Sequence, residues 1–375
     1  MNLLFVIKTM DSRGGGAERV LAEVASALAH RGHRVTVVSF DTPEAVDFYS
    51  FDPRVERVKI AIGRAARRSG LFDTGRRTAA LRRVARGVRP DAAIGFMHSS
   101  FVPLGWALVG RAIPVVASEH IDRTYYDSRP AQLLAIRASL GRFAAITIPT
   151  AKVRAGFEPA IRRKMTEVPN PVAVPGPSGG AAPAENKVLL SVGRLAEQKD
   201  HRTLVDAFAH FAARHPDWQL RIAGEGELRG ELEAQVERLG LGDRIVLPGA
   251  SAAIDEEYRR AGIFVLPSIH ESFGLATAEA LAHGLPAVGF ADCAGTNELI
   301  EDGVNGLLVE GSDRVFALAD ALDGLISAPQ RRALLGAAGP RSVSRFSIEK
   351  VADCWESLLS DLVRVPARTI GTQAS

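Results

Sequence analysis

Two glutamates, Glu271 and Glu279, stand eight positions apart in a segment of otherwise mostly small and aliphatic residues, HESFGLATAEALAHGLPAV (residues 270–288). A carboxylate taken out of water costs free energy unless a donor pairs with it. The pair therefore has two interpretations. Both carboxylates bind the hydroxyl groups of a polyhydroxylated ligand at the end of a pocket, or Glu271 is a solvated loop residue and Glu279 lies on a helix edge.

Positive charge that suits an anionic ligand follows the apolar run VLLSVG. Arg194 and Lys199 lie between this predicted strand and the next predicted helix, where their side chains can converge on one anionic group. Phe273, Gly274 and Leu275 begin a further predicted helix, whose free N–H groups and dipole favour an anion. These positions indicate a ligand whose phosphates rest on the helix start between the two glutamates.

Glycines occur in two further predicted loops. Gly224 and Gly226 follow the strand-like run WQLRIAG, where they would let the backbone approach a flat or charged ligand. Gly15 and Gly16 belong to DSRGGGAERV, between the first predicted strand and helix. The second loop could reach the phosphates, but a simple flexible turn explains a glycine triplet equally well.

Three more candidate residues end predicted strands. His120 follows IPVVASE in the first half of the chain, and an isolated histidine in such a place is more often structural. Leu247 and Pro248 end RIVLPG in the second half, and we include them among the ligand-binding residues.

All these residues are predicted to lie on loops of an α/β protein. Apolar runs of strand length alternate with helix-like segments from NLLFVI onward, which predicts parallel sheets wound on both faces. Proline, glycine and alanine interrupt the pattern in residues 170–187, so we expect two domains that face across a cleft, with ligands at the carboxyl ends of the strands. The predicted bounds are 1–172 for the first domain, 173–187 for the linker, 188–345 for the second domain and 346–375 for a helix with a loose tail.

Composition fits this organisation. A chain of 375 residues favours two domains, and only two cysteines, Cys293 and Cys354, fit a reducing compartment. The first residues resemble a strand more than a signal peptide. Residues 92–110 lack Asp, Glu, Lys and Arg, but His98, serines, proline and glycines within them favour a buried strand, a loop and a short helix over a membrane span.

Charge differs sharply between the two halves. Residues 1–180 hold 27 Lys and Arg against 15 Asp and Glu, a net charge of +12, and the remainder holds 19 against 28, a net charge of −9. Within the first half, residues 63–90 contain nine arginines and a single acid, Asp73. This cluster is either a solvated helix face or a surface for an anionic partner, phospholipid or nucleic acid.

Taken together, several segments resemble the retaining glycosyltransferases of family 4, which have the GT-B fold of two Rossmann-like domains. The resemblance covers nearly the whole chain. It rests on GGGAERV, SEH, PNPV, SVGRLAEQKD, AGEGELRGELE, ESFGLATAEALAHGLPAV and GTNELIEDGVNGLLV.

The resemblance implies transfer of a hexose or N-acetylhexosamine from a nucleotide-diphosphate sugar, a UDP-sugar or a GDP-sugar, with retained anomeric configuration. Glu271 then lies at the donor sugar and Glu279 at the ribose hydroxyls. Arg194 and Lys199 match the family's basic diphosphate clamp, and His120 matches a histidine near the anomeric centre. No Asp-x-Asp motif is present and the family is metal-independent, so we expect no metal, with Arg194, Lys199 and the helix start supplying the positive charge. We expect no other cofactor.

The resemblance also implies a glycan acceptor on the first domain and a last helix that crosses back onto that domain. We expect the acceptor to be linked to polyprenyl diphosphate, as in the assembly of bacterial polysaccharides and lipid-linked oligosaccharides. A lipid-linked acceptor would explain the basic first half. We therefore expect a cytoplasmic protein that binds an anionic membrane surface at the inner face of the plasma membrane, and no nucleic acid. The residues expected to contact the membrane include Arg76, Arg77, Arg82 and Arg83.

Other functions are compatible with parts of the pattern. A sugar-nucleotide epimerase or a phosphorylase can share the fold, but the first gives no reason for the basic half and the second needs a cofactor lysine that the sequence does not signal. A non-catalytic module that binds anions or nucleic acid would explain the arginines. The first half lacks the interleaved aromatic residues that stack on bases.

Overall fold

The protein is described by a computed structural model. The described residues are 1–11, 15–62, 71–173, 175, 185–251 and 253–364. They form two compact units: unit 1 contains Met1–Pro171 and the segment from Ile348 onward, and unit 2 contains Val172–Ser347. Most of the predicted linker and the predicted tail after Arg364 lie outside the described residues.

Unit 1 is built on a parallel sheet that has seven strands among the described residues. The strands are β1 (Asn2–Ile7), β2 (Arg34–Ser39), β3 (Glu56–Lys59), β4 (Ala92–Phe96), β5 (Val115–Ser118), β6 (Ala145–Ile148) and β7 (Met165–Glu167). Their order is β3-β2-β1-β4-β5-β6-β7. Consecutive residues of β1 and β4 are buried, so both faces of the sheet are covered. The order reverses between β1 and β4, and it is at such a reversal that doubly wound sheets bind ligands, at the carboxyl ends of the strands.

Helices connect the strands of unit 1, and the last helix of the chain also belongs to this unit. They are α1 (Gly16–His30), α2 (Leu71–Val88), α3 (His98–Ala107), α4 (Pro130–Ser139), α5 (Ala151–Ala155), α6 (Pro159–Arg162) and, after unit 2, α14 (Ile348–Arg364). The predicted strand and short helix within residues 92–110 are confirmed as β4 and α3. Within the described part of the chain, we find no helix whose length and apolar content would let it cross a membrane.

The last helix, α14, belongs to the core of unit 1. Its Trp355 is buried. The centroid of the Trp355 ring lies 6.5 Å from the ring centroid of Phe5 and 6.2 Å from that of Phe96. Arg31, just after α1, donates to Asp353 and Glu356 on the outer side of α14, at 2.6 Å in both cases. An aromatic cluster and ion pairs therefore hold α14 against β1, β4 and α1.

One arginine of the basic cluster in α2 points inward. Arg77 is buried, lies over the ring of Phe40 with its guanidinium carbon 4.3 Å from the centroid, and donates to the carbonyl of Ile62 at 3.2 Å. Burial lowers the pKa of Arg77. The expectation that Arg77 contacts an anionic surface is therefore wrong, because it lies on the face of α2 that packs against the protein. Residues 63–70, with three more of the nine arginines, lie outside the described residues.

Unit 2 has a second parallel sheet, with six strands among the described residues. They are β8 (Val188–Val192), β9 (Gln219–Ala223), β10 (Ile245–Gly249), β11 (Ile263–Leu266), β12 (Ala287–Phe290) and β13 (Gly306–Val309). The order β10-β9-β8-β11-β12-β13 reverses between β8 and β11. The loops that leave these two strands therefore meet at the switch point of the sheet.

Helices cover both faces of this sheet as well. They are α7 (His201–Phe211), α8 (Arg229–Arg238), α9 (Ile254–Arg260), α10 (Leu275–Ala282), α11 (Thr296–Leu299), α12 (Arg314–Ile326) and α13 (Pro329–Val343). One hydrophobic cluster includes Phe208, Phe211 and Leu322, and a second includes Phe264, Phe273 and Leu281. The predicted α/β class with two doubly wound parallel sheets is confirmed.

Candidate active site

Lys199 and Glu271 form an ion pair at the switch point of the unit 2 sheet. Lys199 Nζ donates to Glu271 Oε1, and Ser268 Oγ donates to the same oxygen at 2.8 Å. The Lys199 and Glu271 side chains are only 14% and 10% exposed. They meet because Lys199 follows β8 and Glu271 follows β11, which are neighbouring strands. Glu271 is thus a paired, largely buried carboxylate and not a solvated loop residue.

Glu279 is buried too, on the helix that follows Glu271. Gly274 precedes α10 with a φ of 83°, a conformation that favours glycine, and Glu279 lies in the second turn of this helix. The Glu279 side chain accepts a hydrogen bond from the hydroxyl of buried Tyr258, on α9, at 2.7 Å. The carboxylate therefore faces a polar partner inside the unit and does not lie on an exposed helix edge.

The two glycines after β9, Gly224 and Gly226, allow the loop after β8 to pack closely against them. A Cβ on Gly224 would lie 1.9 Å from the carbonyl oxygen of Gly193, and one on Gly226 would lie 2.3 Å from that of Leu195. The Leu195 N–H also donates to the carbonyl of Glu225 at 2.9 Å. The space beside these two glycines, which the sequence suggested for a ligand, is filled by the backbone on either side of Arg194.

Arg194 and Lys199 differ in their surroundings. Arg194 is exposed, and no carboxylate of the described residues forms an ion pair with it. The aliphatic part of the Lys199 side chain packs against Gly193, where an added Cβ would lie 3.2 Å from Lys199 Cε. The ammonium group of Lys199 donates to Glu271. Lys199 is therefore held in place by the protein, whereas Arg194 faces solvent.

The other predicted residues of unit 2 lie around these loops. Phe273 is buried with its ring edge-on to Phe346 at 5.1 Å, and Leu275 is half-buried at the start of α10. In β10, Leu247 is half-buried and Pro248 is exposed. Phe273 thus anchors the start of α10 from within the core.

His120 lies in unit 1, two residues after β5. Its ring stacks on Phe96 with centroids 5.0 Å apart. Thr147 Oγ1 donates to Ser118 Oγ at 2.9 Å, and Ser118 Oγ is hydrogen-bonded to His120 Nε2, also at 2.9 Å. Burial lowers the pKa of His120 to about 4. His120 is therefore a neutral imidazole at pH 7, hydrogen-bonded to Ser118 through Nε2.

Glu119 and His98, which both contact Tyr126, were not proposed as site residues from the sequence. Glu119 is buried, accepts the backbone N–H groups of His120 and Ile121 at 3.0 and 3.2 Å, and accepts the Tyr126 hydroxyl at 2.6 Å. Burial raises the pKa of Glu119 to about 7. His98, just after β4, has its pKa lowered to about 4 by burial first and by nearby cations second. His98 could have been found, because it follows its strand as His120 follows β5.

The glycine-rich turn of unit 1 is only partly described. Residues 12–14 lie outside the described residues, Gly15 caps α1 and Gly16 begins it. Within the described residues, no three His, Cys, Asp or Glu side chains are grouped as they would be to hold a metal ion.

Two family models match this chain. The model described as "Glycosyltransferase Family 4" matches residues 14–174, and the model described as "Glycosyl transferases group 1" matches residues 178–342. Each match covers most of one unit.

Individual proteins match over nearly the whole chain. An exopolysaccharide phosphotransferase of Streptomyces coelicolor is 27% identical over 97% of this chain, which spans only 41% of that protein. A Campylobacter jejuni alpha-1,4-N-acetyl-D-galactosaminyltransferase, named for an undecaprenol-diphosphate-linked GalNAc–GalNAc–diNAcBac substrate, is 26% identical over 96% of this chain and 99% of its own. The crystal structure of Anabaena Alr3699/HepE in complex with UDP has a TM-score of 0.76 at 20% identity, over 96% of this chain and 100% of that one. That likeness confirms the predicted fold class.

Proposed function

Because the chain belongs to glycosyltransferase family 4, whose enzymes use nucleotide-sugar donors, we propose that it is a retaining, metal-independent hexosyl- or N-acetylhexosaminyltransferase with its donor site at the Lys199–Glu271 pair. The observation that carries the proposal is the position of this pair. A largely buried lysine and carboxylate lie at the switch point of a doubly wound sheet, beside a glycine-capped helix start.

The proposed chemistry depends on stabilising the leaving group. The bond between the anomeric carbon and the β-phosphate oxygen breaks, and the acceptor oxygen bonds to the same face of that carbon. The acceptor proton passes to a phosphate oxygen. Lys199, Arg194 and the N–H groups at the start of α10 stabilise the charge that grows on the diphosphate, and Glu271 stabilises the cationic sugar ring. His120, neutral at pH 7, contributes a hydrogen bond and not a proton.

Glu279 is proposed to bind the ribose hydroxyls. The donor is first identified by a thermal-shift screen over UDP-, GDP- and ADP-sugars, with UDP-sugars expected to raise the melting temperature most because the Anabaena structure holds UDP. With that donor, Glu279→Gln is expected to raise KM about 10-fold at nearly unchanged kcat, because a charged acceptor is lost from ground state and transition state alike.

Glu257→Gln is the matched control for this substitution. Glu257 is a buried carboxylate of the same unit that pairs with Arg221 at 2.8 Å, and its loss should affect stability without affecting KM. Equal KM values for Glu279→Gln and the natural protein would remove Glu279 from the donor site.

The exposed arginines of α2 are proposed to bind an anionic membrane. Arg76, Arg83 and Arg86 share one stripe of the helix, at intervals of seven and three residues, and Arg89 follows its end; all four are exposed. Opposite charges on lipid headgroups would attract this stripe, and a lipid-linked acceptor would be presented to unit 1 there.

Exposed apolar side chains lie next to the arginines of α2. Trp106 and Val109, at the end of α3, are 41% and 40% exposed. Arg82 of α2 donates to the carbonyl of Val109 at 3.4 Å, and the guanidinium carbon of Arg142 is 3.7 Å from the Trp106 ring centroid. An exposed tryptophan among arginines suits the headgroup region of a bilayer, where one part of the side chain is apolar and the other hydrated.

We expect the protein to co-sediment with vesicles that contain anionic lipid and to be released at high salt. Since each basic residue near such a surface contributes about 1 kcal/mol, four charge reversals should lower binding more than about 100-fold. The reversed residues are Arg76, Arg83, Arg86 and Arg89. Four exposed arginines of unit 2 reversed in the same way form the control: Arg238, Arg259, Arg260 and Arg331. Equal binding to neutral and anionic vesicles would leave the α2 arginines as a solvated face.

A further inference from the structure

Arg314, the first residue of α12, contacts three separate loops of unit 2. Its Nη1 donates to both carboxylate oxygens of Asp292 at 3.0 and 3.2 Å. Its Nη2 donates to the carbonyls of Pro267 and Ser268 at 3.0 and 3.4 Å. Its Nε lies 3.6 Å from Asp200 Oδ2. One guanidinium therefore connects the chain after β8, after β11 and after β12, which are adjacent strands.

The contacted residues lie next to the Lys199–Glu271 pair. Asp200 directly follows Lys199 and has a φ of 50°, which a residue with a side chain rarely adopts without support. Ser268 accepts from Arg314 through its carbonyl and donates through its hydroxyl to Glu271. Arg314 thus contacts the residue that follows Lys199, which is Asp200. It also contacts Ser268, the residue that donates a hydrogen bond to Glu271.

The geometry of Arg314 suits a fixed support. Its guanidinium carbon lies 3.5 Å from the centroid of the Phe290 ring, which holds the plane of the group. Both terminal nitrogens donate to protein oxygens, and the side chain is half-buried, so these terminal donors are committed to the protein and not to a ligand. A lysine ammonium could not replace this planar guanidinium, which stacks on Phe290 and donates hydrogen bonds through both of its terminal nitrogens.

We propose that Arg314 is a positioning residue for the reaction: it fixes the loops of Lys199 and Glu271 so that the ammonium group and the carboxylate stay paired in one geometry. The inference rests on the proposed function, because the role of the pair in donor binding is itself proposed. Arg314 lies outside every motif on which the family resemblance rests.

The first test measures the pair without catalysis. The full-length protein is treated with trace acetic anhydride, and acetylation of Lys199 is followed by mass spectrometry. In Arg314→Met and in Arg314→Lys we expect Lys199 to be acetylated at least about threefold faster, because its ammonium group is less firmly held. Lys187, an exposed lysine of the same unit, is the internal control and should not change. An unchanged Lys199 rate in both variants would overturn the proposal.

Two further variants separate positioning from general destabilisation. Arg214 pairs with Asp323 at 2.7 Å near the far end of α7, so Arg214→Met removes a comparable ion pair away from the site. Asp292→Asn removes an acceptor of Arg314 from a side chain that is 71% exposed, which should not unfold the protein. We expect Asp292→Asn, and not Arg214→Met, to raise Lys199 acetylation, and to add nothing when combined with Arg314→Met.

Kinetics then connect the support to the reaction. Arg314→Met is expected to lower kcat/KM for transfer about 10- to 100-fold, Arg314→Lys to recover little of it, and Arg214→Met to leave it unchanged. If Lys199 acetylation rises but Lys199→Met keeps full activity, the positioning inference stands and the proposed donor site fails. If Lys199→Met is inactive but Arg314→Met behaves like Arg214→Met, the inference fails and the donor site stands.

Discussion

Glu271→Ala is expected to lower kcat at least about 100-fold while the donor KM stays the same or falls. The carboxylate accepts from Lys199 and Ser268 and is proposed to face the sugar ring as that ring becomes cationic. Its loss removes this stabilisation from the transition state only. Lys199 is meanwhile released to bind the diphosphate, so donor binding should not weaken. Initial rates at varied donor concentration measure both constants.

Two companion variants sharpen this expectation. Glu271→Gln keeps a group that can accept from Ser268 but lacks the charge, so a rate as low as that of Glu271→Ala would assign the effect to charge. Glu233→Ala removes an exposed carboxylate that pairs with Arg229 at 2.6 Å and should be neutral. Unchanged turnover in Glu271→Ala would end the assignment of Glu271 to the reacting sugar.

Lys199→Ala is expected to lower kcat/KM about 100- to 1,000-fold, and Arg194→Ala to remove most of the activity. Lys199 should have the larger effect, because a largely desolvated, fixed charge acts more strongly than an exposed one. Dialysis against EDTA should leave activity nearly intact, since these cations and the start of α10 already stabilise the diphosphate. Steady-state kinetics before and after dialysis test both statements.

Removing Lys199 leaves a largely buried Glu271 unpaired and lowers stability, so the melting temperature of each variant is measured alongside its activity. Lys199→Arg keeps a cation and should regain part of the lost rate. A strict requirement for added Mg2+ or Mn2+ would contradict the proposal that Lys199, Arg194 and the start of α10 stabilise the diphosphate without a metal.

Central strands could be predicted from the sequence, whereas the two edge strands of the unit 1 sheet could not. β1 and β4 are apolar runs because helices cover both of their faces. β3 has the sequence ERVK and β7 has MTE, and both lie at the edges of the unit 1 sheet, with few buried residues. A short, charged edge strand has no apolar pattern to reveal it. Its existence follows only from the strand beside it.

The site was predictable where a residue ends a strand. Lys199 and Glu271 were both proposed from their positions, but they are 72 residues apart, and their pairing depends on β8 and β11 being neighbours. Gly224 suggested a ligand, because the sequence does not show that the Gly193 carbonyl fills the space beside it. Glu119 accepts from the next two backbone N–H groups and from Tyr126, and nothing in the sequence shows that this carboxyl is buried. Arg314 donates to backbone carbonyls and a carboxylate of other segments, and these contacts leave no trace in the sequence.

Arg77 shows a signal that could have been used. Its position in α2 continues the spacing of the buried residues Ala80, Leu81 and Ala85, which places it on the inner stripe of the helix. Because the segment contains so many arginines, the helical spacing that places Arg77 among the buried residues is not evident from the arginines alone.

The contacts of α14 with Phe5 and Phe96 have a consequence for synthesis on the ribosome. The first strands of unit 1 leave the ribosome early, but Trp355, which completes their packing, is made only after all of Val172–Ser347. At roughly 5–20 residues per second, translation of that insert takes about 10–35 s. During this interval unit 2 can fold as an uninterrupted segment, whereas an incomplete unit 1 exposes the aromatic face that α14 will cover. The first half of the nascent chain is thus the part that most needs protection by chaperones, although it is made first.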